Sequence, residues 1–263
     1  MLAAVGPRSL LMTFFGAFLR RLGGWVAVAD LVALMADLEL DEQAVRSAVS
    51  RLKRRGVIAP ERRDGAAGYR LTAHGEAILA AGDARIFEPP GDDRGEWLLV
   101  VFSIPEARRE LRHRLRARLQ WLGLGTVAAG VWIAPAHVEP EVRRTVDSLG
   151  VETHVELFRG RHLGAGAAVA EWWDLRAIAA EYRAYVAAWE PALARRSRPR
   201  TVAFADHVRQ LEAWRRIPFH DPGLPASSLP ADWPGAHAWD VFRALDRRLS
   251  GPAMRHVEAR VDR

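Results

Sequence analysis

The spacing of apolar residues near the start of the chain predicts two helices. Residues 9–22 are mostly apolar, and Gly23 and Gly24 supply a stop after them. A second helix is predicted over residues 31–38, where Asp30 would cap the first turn. A further helix follows closely, and two short helices joined by a tight turn form a helix-turn-helix unit.

The third helix, predicted over residues 42–55, has two distinct faces. Asp41 is placed to cap its start, and Gly56 follows its last turn. Its apolar residues recur at i, i+3, i+4 and i+7, which is the spacing of a face turned towards the core. These residues are Val45, Ala48, Val49 and Leu52.

The opposite face of this helix is polar and basic. Arg, Gln and Ser are residue types that reach base edges and phosphates in a major groove. We therefore predict that this face contacts DNA. The predicted contacts on the helix are Gln43, Arg46, Ser47, Ser50, Arg51, Lys53 and Arg54.

A β-hairpin is predicted after the third helix. Residues 57–62 and 69–71 are β-prone and flank a glycine-rich turn, which predicts the wing of a winged helix. Thr72 would cap a closing helix behind the wing. The predicted DNA contacts of the wing are Arg62, Arg63 and Arg70.

Positive charge is concentrated in this part of the chain. The whole chain carries a formal charge of +6. From Arg46 to Arg70, eight basic residues stand against two acidic ones, an excess of the same size. A solvated basic surface is the simpler alternative, but helix-turn-helix, wing and charge together favour a DNA-binding domain. A winged helix used for protein contacts would lack this basic character.

Composition divides the chain into three domains and a linker. Residues 1–87 are predicted to form the winged helix-turn-helix domain, and residues 88–96, rich in Pro, Gly and Asp, the linker. Residues 97–166 form a middle domain, and residues 167–263 form a mainly α-helical C-terminal domain. The predicted fold class is therefore α+β.

The middle domain alternates strands with helices. Strands are predicted over residues 97–102, 127–133 and 151–158, and helices over residues 106–121 and 139–149. This β-α-β-α-β order is ferredoxin-like.

Two polar patterns in the middle domain have alternative interpretations. Residues 106–118 carry six arginines against two glutamates. A solvated helix face is the simpler interpretation, and contact with DNA phosphate or an anionic effector is the alternative. Glu152, His154 and Glu156 alternate along a predicted strand, so they form either a polar outer face or metal ligands. Since no further ligand is evident, we predict neither a metal nor a cofactor.

Several runs of the sequence carry a resemblance to a known family. In the first domain they are PRSLLMTFFGAFL, AVRSAVSRLKRRGVI and GYRLTAHGEAIL. Beyond it they are WLLVVFSIPEARRELRHRLRARLQWLGLGTVAAGVWIAP and, near the C-terminus, IPFHDPGLPASSLPADWPG. Over nearly the whole chain, these runs resemble the phenylacetic-acid degradation repressor family, the PaaX-type regulators.

The resemblance implies a homodimeric transcriptional repressor that binds a partly palindromic operator in double-stranded DNA. It further implies release by an acyl-CoA effector similar to phenylacetyl-CoA. The middle domain would be similar to the small CRISPR-associated nuclease fold. Those nucleases place a metal-binding Asp at the end of the first strand, where this chain has Ser103 and Ile104. Nuclease activity is therefore disfavoured, and dimerisation and signal relay are expected.

An acyl-CoA effector would need a phosphate site and an apolar pocket. The glycine-rich segment 160–166 precedes a predicted helix, where backbone N–H groups bind phosphate, although a flexible connection is the simpler alternative. Most aromatic residues in the last third belong to the core, and a minority would line a pocket. The candidate effector-binding residues are Arg159, Arg161, His162, Trp173, Tyr182 and Trp214.

Other features of the sequence exclude several classes of protein. The absence of Cys excludes disulfides, thiolate metal sites and Cys nucleophiles. The apolar run at residues 10–19 is too short to span a bilayer and lacks a cleavage site, so a cytoplasmic protein without membrane contact is expected. No hydrolase motif is evident, and we expect no enzyme activity. The alternative is an enzyme that acts on nucleic acid or acyl-CoA through the middle or C-terminal domain.

Overall fold

The computed structural model describes residues 6–88, 96–163, 171–195, 198–224 and 226–261. These residues form two compact units. The first unit contains the described residues of Met1–Phe87, Arg183–Arg215 and Ala236–Arg263, and the second contains those of Glu88–Tyr182 and Arg216–Gly235. The packing thus divides the predicted C-terminal domain between the two units, and the predicted domain boundaries stay a prediction.

The described residues contain both helices and strands. In order they are α1 (Pro7–Ala17), β1 (Trp25–Ala27), α2 (Val28–Ala36), α3 (Glu42–Arg54), β2 (Ile58–Arg63), β3 (Ala66–Leu71), α4 (Ala73–Phe87), β4 (Trp97–Phe102), α5 (Arg109–Trp121), β5 (Gly125–Ala128), β6 (Val131–Pro135), α6 (Glu139–Leu149), β7 (Val155–Gly160), α7 (Leu175–Trp189), α8 (Arg200–Trp214), α9 (Ile217–His220) and α10 (Gly235–Val261). Short 3₁₀ turns lie at Leu19–Leu22, Glu106–Arg108, Ala136–Val138, Glu152–His154, Glu190–Ala194 and Ala226–Ser228. This mixture confirms the predicted α+β class.

The N-terminal part of the first unit is a winged helix. Helices α1, α2 and α3 stand beside an antiparallel sheet in the order β1-β3-β2. The predicted cap of α2 was wrong: α2 begins at Val28, with extended Ala27 (φ −66°, ψ 148°) as the N-cap, and Asp30 lies in its first turn. The reason is that β1 pairs with β3 up to Ala27, so the helix starts as soon as that pairing ends.

Helices from the C-terminal region complete the core of the first unit. Phe204 and Val208 of α8 and Met254 and Val257 of α10 are buried in the same apolar cluster as the winged-helix residues. The Phe204 ring lies 6.4 Å from that of Phe14 in an edge-on arrangement. The apolar core of the winged helix is therefore continuous with that of these later helices.

The second unit contains a four-stranded antiparallel sheet in the order β5-β6-β4-β7. Helices α5 and α6 cover one face, where Leu98, Val100, Leu115 and Val142 are buried together. This β-α-β-β-α-β order confirms the ferredoxin-like prediction and refines it. The predicted strand over residues 127–133 is in fact the hairpin of β5 and β6, which turns at residues 129 and 130, where glycine has a φ of +78°.

None of the described helices combines the length and the apolarity that a bilayer crossing requires.

Candidate nucleic-acid interface

Helix α3 has well-defined ends. The Asp41 carboxylate accepts hydrogen bonds from the backbone N–H groups of Gln43 (2.8 Å) and Ala44 (3.1 Å), as predicted for an N-cap. At the other end Gly56 adopts a φ of +68°, and its N–H donates to the Lys53 carbonyl at 2.9 Å. The next N–H, that of Val57, reaches back into the last turn of α3, which completes a Schellman motif. These caps fix the length and direction of the helix.

The two faces of α3 are as the sequence predicted. Val45, Ala48, Val49 and Leu52 are all buried. The predicted DNA contacts are all exposed on the other side: Gln43, Arg46, Ser47, Ser50, Arg51, Lys53 and Arg54. Their contact with DNA stays a prediction.

The wing is a tight hairpin. Strands β2 and β3 pair from Ile58↔Leu71 to Arg63↔Ala66, which leaves a two-residue turn of Asp64 (φ 48°) and Gly65 (φ 81°). Positive φ at both central residues is the type I′ geometry that matches strand twist. The Arg62 guanidinium donates to the Gly65 carbonyl at 2.9 Å and so stands at the tip of the wing.

Carboxylates neutralise some of the predicted cations. Glu42 binds Arg46 at 2.5 Å, one turn away on α3. On the wing, Glu61 binds both Arg63 (2.6 Å) and Arg70 (3.0 Å). Within the described part of the chain, no carboxylate lies within ion-pair distance of the other predicted cations. These are Arg51, Lys53, Arg54 and Arg62.

A groove runs beside the polar face of α3. Apolar residues of α2 and α3 form part of its lining, and Tyr69 of β3 contributes an aromatic ring. Arg46, Ser50 and Lys53 also line it. The Lys53 ammonium group lies 5.9 Å from the centre of the Tyr69 ring. The groove therefore places cationic and hydroxyl groups beside apolar and aromatic side chains.

Sequence reasoning missed Arg8, in the first turn of α1. The Arg8 side chain is exposed, but its guanidinium group loses some contact with water, which lowers its pKa. The nearby positive charges of Arg55, Arg51 and Arg215 lower this pKa further. Arg8 therefore adds a cation close to the C-terminal end of α3. No local pattern indicates this proximity, because 43 residues separate Arg8 from Arg51.

A buried polar network joins α1 to α8. The Glu212 carboxylate, with none of its surface exposed, accepts hydrogen bonds from the hydroxyl groups of Ser9 (2.6 Å) and Thr13 (2.5 Å). The Arg215 guanidinium donates to the same carboxylate at 2.6 Å and to the Ser9 hydroxyl at 2.7 Å. Because Arg8 directly precedes Ser9, this network anchors the segment that holds Arg8.

The candidate effector residues are divided between the two units. Trp214 belongs to the first unit, where its ring stacks on Phe242 at 4.6 Å and its indole N–H donates to the Ile86 carbonyl at 2.9 Å. The other five belong to the second unit: Arg159, Arg161, His162, Trp173 and Tyr182. Residues 164–166 of the predicted glycine-rich loop lie outside the described residues.

Within the second unit, several polar atoms of these candidates already have partners. Arg159 binds Glu139 (2.6 Å), and hydrogen bonds from Arg143 and then from Arg159 lower the pKa of Glu139. The Trp173 indole N–H donates to the Gly123 carbonyl at 2.8 Å. The Tyr182 hydroxyl donates to Asp221 at 2.7 Å, and burial together with that carboxylate raises the Tyr182 pKa well above its usual value.

The alternative of a metal site at Glu152, His154 and Glu156 was wrong. Residues 152–154 form a 3₁₀ turn, and only Glu156 lies in strand β7, so the three side chains do not share the face of one strand. The described residues contain no group of three or more potential metal ligands.

Comparison with known proteins covers almost the entire chain. Family models match at residues 6–75 ("PaaX-like protein"), 91–170 ("PaaX protein central Cas2-like domain") and 173–259 ("PaaX-like protein C-terminal domain").

Individual relatives agree with these models. The transcriptional repressor PaaX of Escherichia coli (strain K12) is 26% identical over 266 residues, which cover 96% of this chain and 83% of the relative. The uncharacterized protein Rv0674 from Mycobacterium tuberculosis has a similar fold, with a TM-score of 0.61 and 22% identity over 98% of this chain and 99% of that one. The chain therefore belongs to the PaaX-like protein family.

Proposed function

We propose that this protein is a DNA-binding transcriptional repressor, in which α3 enters the major groove and the β2–β3 wing lies along the neighbouring backbone. The observation that carries this proposal is the exposed face of α3, which presents Ser47, Ser50 and Arg51 opposite a buried apolar face. The cations of the wing extend the same basic surface. The family relationship supports the proposal, since the E. coli relative is named a transcriptional repressor.

Titration of promoter DNA from the protein's own gene region tests this function. Because bound arginines release counterions from DNA, affinity should fall steeply as salt rises. Arg51→Ala should weaken operator binding roughly 5- to 150-fold, the equivalent of a lost base contact of about 1–3 kcal/mol. Arg255→Ala, which removes an exposed arginine of α10, is the matched control and should bind as the unchanged protein does.

Two results would contradict the proposal. The first is a failure to bind any promoter fragment at low salt. The second is unchanged operator affinity of Arg51→Ala, which would mean that α3 is not the recognition helix.

We further propose that an acyl-CoA releases the repressor and that the second unit binds it. The resemblance to the family supplies the ligand, and an aromatic cluster supports the location. Trp172 contacts the rings of His162 (5.2 Å), Trp173 (6.1 Å) and Trp97 (6.5 Å), which offers a surface for an acyl or arylacyl group. Exposed Arg161 stands beside this cluster in sequence and is suited to a phosphate.

Phenylacetyl-CoA and free coenzyme A, titrated into the complex with DNA, test this part. Release by the acyl-CoA alone supports it. An equal response to both compounds, or to neither, would contradict an acyl-selective effector site.

We propose that the protein is a homodimer, from an apolar patch on the sheet of the second unit. Leu99 pairs with Phe158 and Val101 with Val131, so these four side chains share the face opposite the buried core. Three of them are half-buried, and Phe158 is 54% exposed. A second copy of the chain would bury this apolar surface and match a partly palindromic operator. Analytical ultracentrifugation measures the oligomeric state. The unchanged protein should sediment as a dimer, and the Phe158→Asp variant should sediment as a monomer.

A further inference from the structure

Helix α5 and the turn before it form the most arginine-rich segment of the second unit. The segment from Glu106 to Trp121, both included, contains six arginines and two glutamates. Five of the arginines are exposed: Arg108, Arg109, Arg114, Arg116 and Arg118. The sixth, Arg112, is half-buried and pairs with Glu106 at 2.7 Å.

Most of these cations have no acidic partner among the residues that the structure describes. Within the described residues, no carboxylate lies within ion-pair distance of Arg109, Arg114, Arg116 or Arg118. The neighbouring helix of the same unit differs. On α6, Arg143 binds Glu139 at 2.8 Å and Arg144 binds Glu141 at 3.0 Å. An ordinary solvated helix face balances its charges in the manner of α6, whereas α5 leaves a net positive charge exposed.

The unpaired cations of α5 follow two edges of the helix. Buried Leu115 and Leu119 fix which side of the helix faces the core, so the arginines project from the outer side. At 3.6 residues per turn, Arg109 and Arg116 follow one edge of that side, and Arg114 and Arg118 follow the other. The helical rise spreads them over about 14 Å, roughly four steps of 3.4 Å along a DNA strand.

This arrangement distinguishes a polyanion from a small anion. A small anion needs cations that converge on one point, as in a bidentate carboxylate or phosphate site. The arginines of α5 instead diverge from a convex helix surface. Exposed Glu110, His113 and Ala117 lie between the two edges, so this outer side carries one carboxylate against four arginines.

We propose that α5 binds the phosphate backbone of duplex DNA beside the segment that α3 and the wing read. The second unit would thus contribute affinity without sequence preference, because phosphate contacts position a protein while base contacts specify its site. This inference rests on the proposed repressor function.

The test measures the affinity of the full-length protein for two promoter duplexes. The core duplex contains only the base pairs whose substitution changes affinity, and the long duplex adds about 15 base pairs, roughly one and a half turns, at each end. The variant replaces all four unpaired arginines with glutamine: Arg109→Gln, Arg114→Gln, Arg116→Gln and Arg118→Gln. Thermal unfolding confirms that the variant is folded.

We expect the variant to bind the core duplex as the unchanged protein does and to lose roughly tenfold or more in affinity for the long duplex. Its plot of log affinity against log salt for the long duplex should be less steep by up to about 3.6, or 0.9 for each lost phosphate contact. The same four positions changed to Lys should restore most of the loss, because a phosphate contact needs charge more than fork geometry. The matched control is the α6 double variant Arg143→Gln with Arg144→Gln, which should bind both duplexes as tightly as the unchanged protein does.

Equal affinity and equal salt dependence of the quadruple variant and the unchanged protein on the long duplex would overturn the inference. A failure of the proposed function is a different result, in which the unchanged protein shows no preference for promoter DNA. In that case the quadruple variant and the unchanged protein are compared on a long duplex of unrelated sequence at low salt. The variant must still bind this duplex more weakly than the unchanged protein does. Equal binding there would overturn the inference as well.

Discussion

Glu212 shows how a single buried carboxylate joins two helices that are far apart in the sequence, α1 and α8. Its two oxygens accept hydrogen bonds from Ser9, Thr13 and Arg215. The negative charge of Glu212 is therefore paired with a guanidinium group and hydrogen-bonded to two hydroxyl groups. Burial of a carboxylate is unfavourable unless such partners compensate for the lost water. The network therefore holds α1 in one position against α8.

Removal of this carboxylate should destabilise the first unit. We expect Glu212→Ala to lower the free energy of unfolding by about 3–5 kcal/mol, because it leaves Arg215 and two hydroxyl groups without their acceptor. Glu212→Gln, which keeps one acceptor oxygen, should cost less. Urea denaturation measures both. Glu258→Gln, at an exposed position of α10, is the control. If it lowered the free energy of unfolding as much as the Glu212 variants do, the network would not be what stabilises the first unit.

At the scale of elements, the wing depends on a close approach between two strands. A Cβ atom on Gly68 would stand 2.5 Å from a ring carbon of Trp25 and 2.5 Å from the carbonyl oxygen of Val26. Only glycine therefore allows β1 and β3 to pair at this point. Since the position of the wing depends on this pairing, Gly68 bears indirectly on the proposed DNA-binding surface.

Gly68→Ala should both destabilise the wing and weaken DNA binding. Forced separation of β1 from β3 should cost about 1–3 kcal/mol, as overpacking does elsewhere. Gly160→Ala in β7 is the control, because its Cβ would meet nothing within 4 Å. Chemical denaturation and operator titration check the prediction, and a Gly68 variant as stable as the control would contradict it.

The elements differ in how well the sequence predicted them. Helix α3, its Asp41 cap and its Gly56 stop were predicted, because capping and apolar spacing act within one short segment. The β5–β6 hairpin was not, because Gly130 lies inside an otherwise continuous β-prone run. The start of α2 was misplaced, because the pairing of β1 with β3 decides where the helix begins.

At the scale of the whole molecule, the unit that contains the winged helix is not a contiguous stretch of chain. Phe18 of the winged helix contacts Phe204 of α8 at 5.5 Å between ring centres, and His256 of α10 contacts Asp37 at 2.7 Å. Arg209 of α8 donates to the Leu38 carbonyl at 3.2 Å, just before α3. Residues from both ends of the chain thus share one core.

A fragment of residues 1–87 should therefore fail to fold stably by itself. Without α8 and α10, the apolar surface of Phe14 and Phe18 would face water, and a domain of this size has little stability to spare. Circular dichroism and thermal unfolding compare the fragment with the full chain. A cooperative transition at the temperature of the full chain would contradict the prediction.

The sequence by itself determined the helix-turn-helix, the wing, the basic face of α3 and, apart from the β5–β6 hairpin, the order of strands and helices from β4 to β7. Each of these follows from patterns that repeat every few residues or from a capping residue next to its helix, so a short window contains the cause. Only the tertiary structure decided that Arg8 stands near α3, that Glu212 joins α1 to α8, and that the C-terminal helices are divided between two units. The bond from Ser9 to Glu212 spans 203 positions, and no local pattern specifies a contact that forms only when the whole chain is packed.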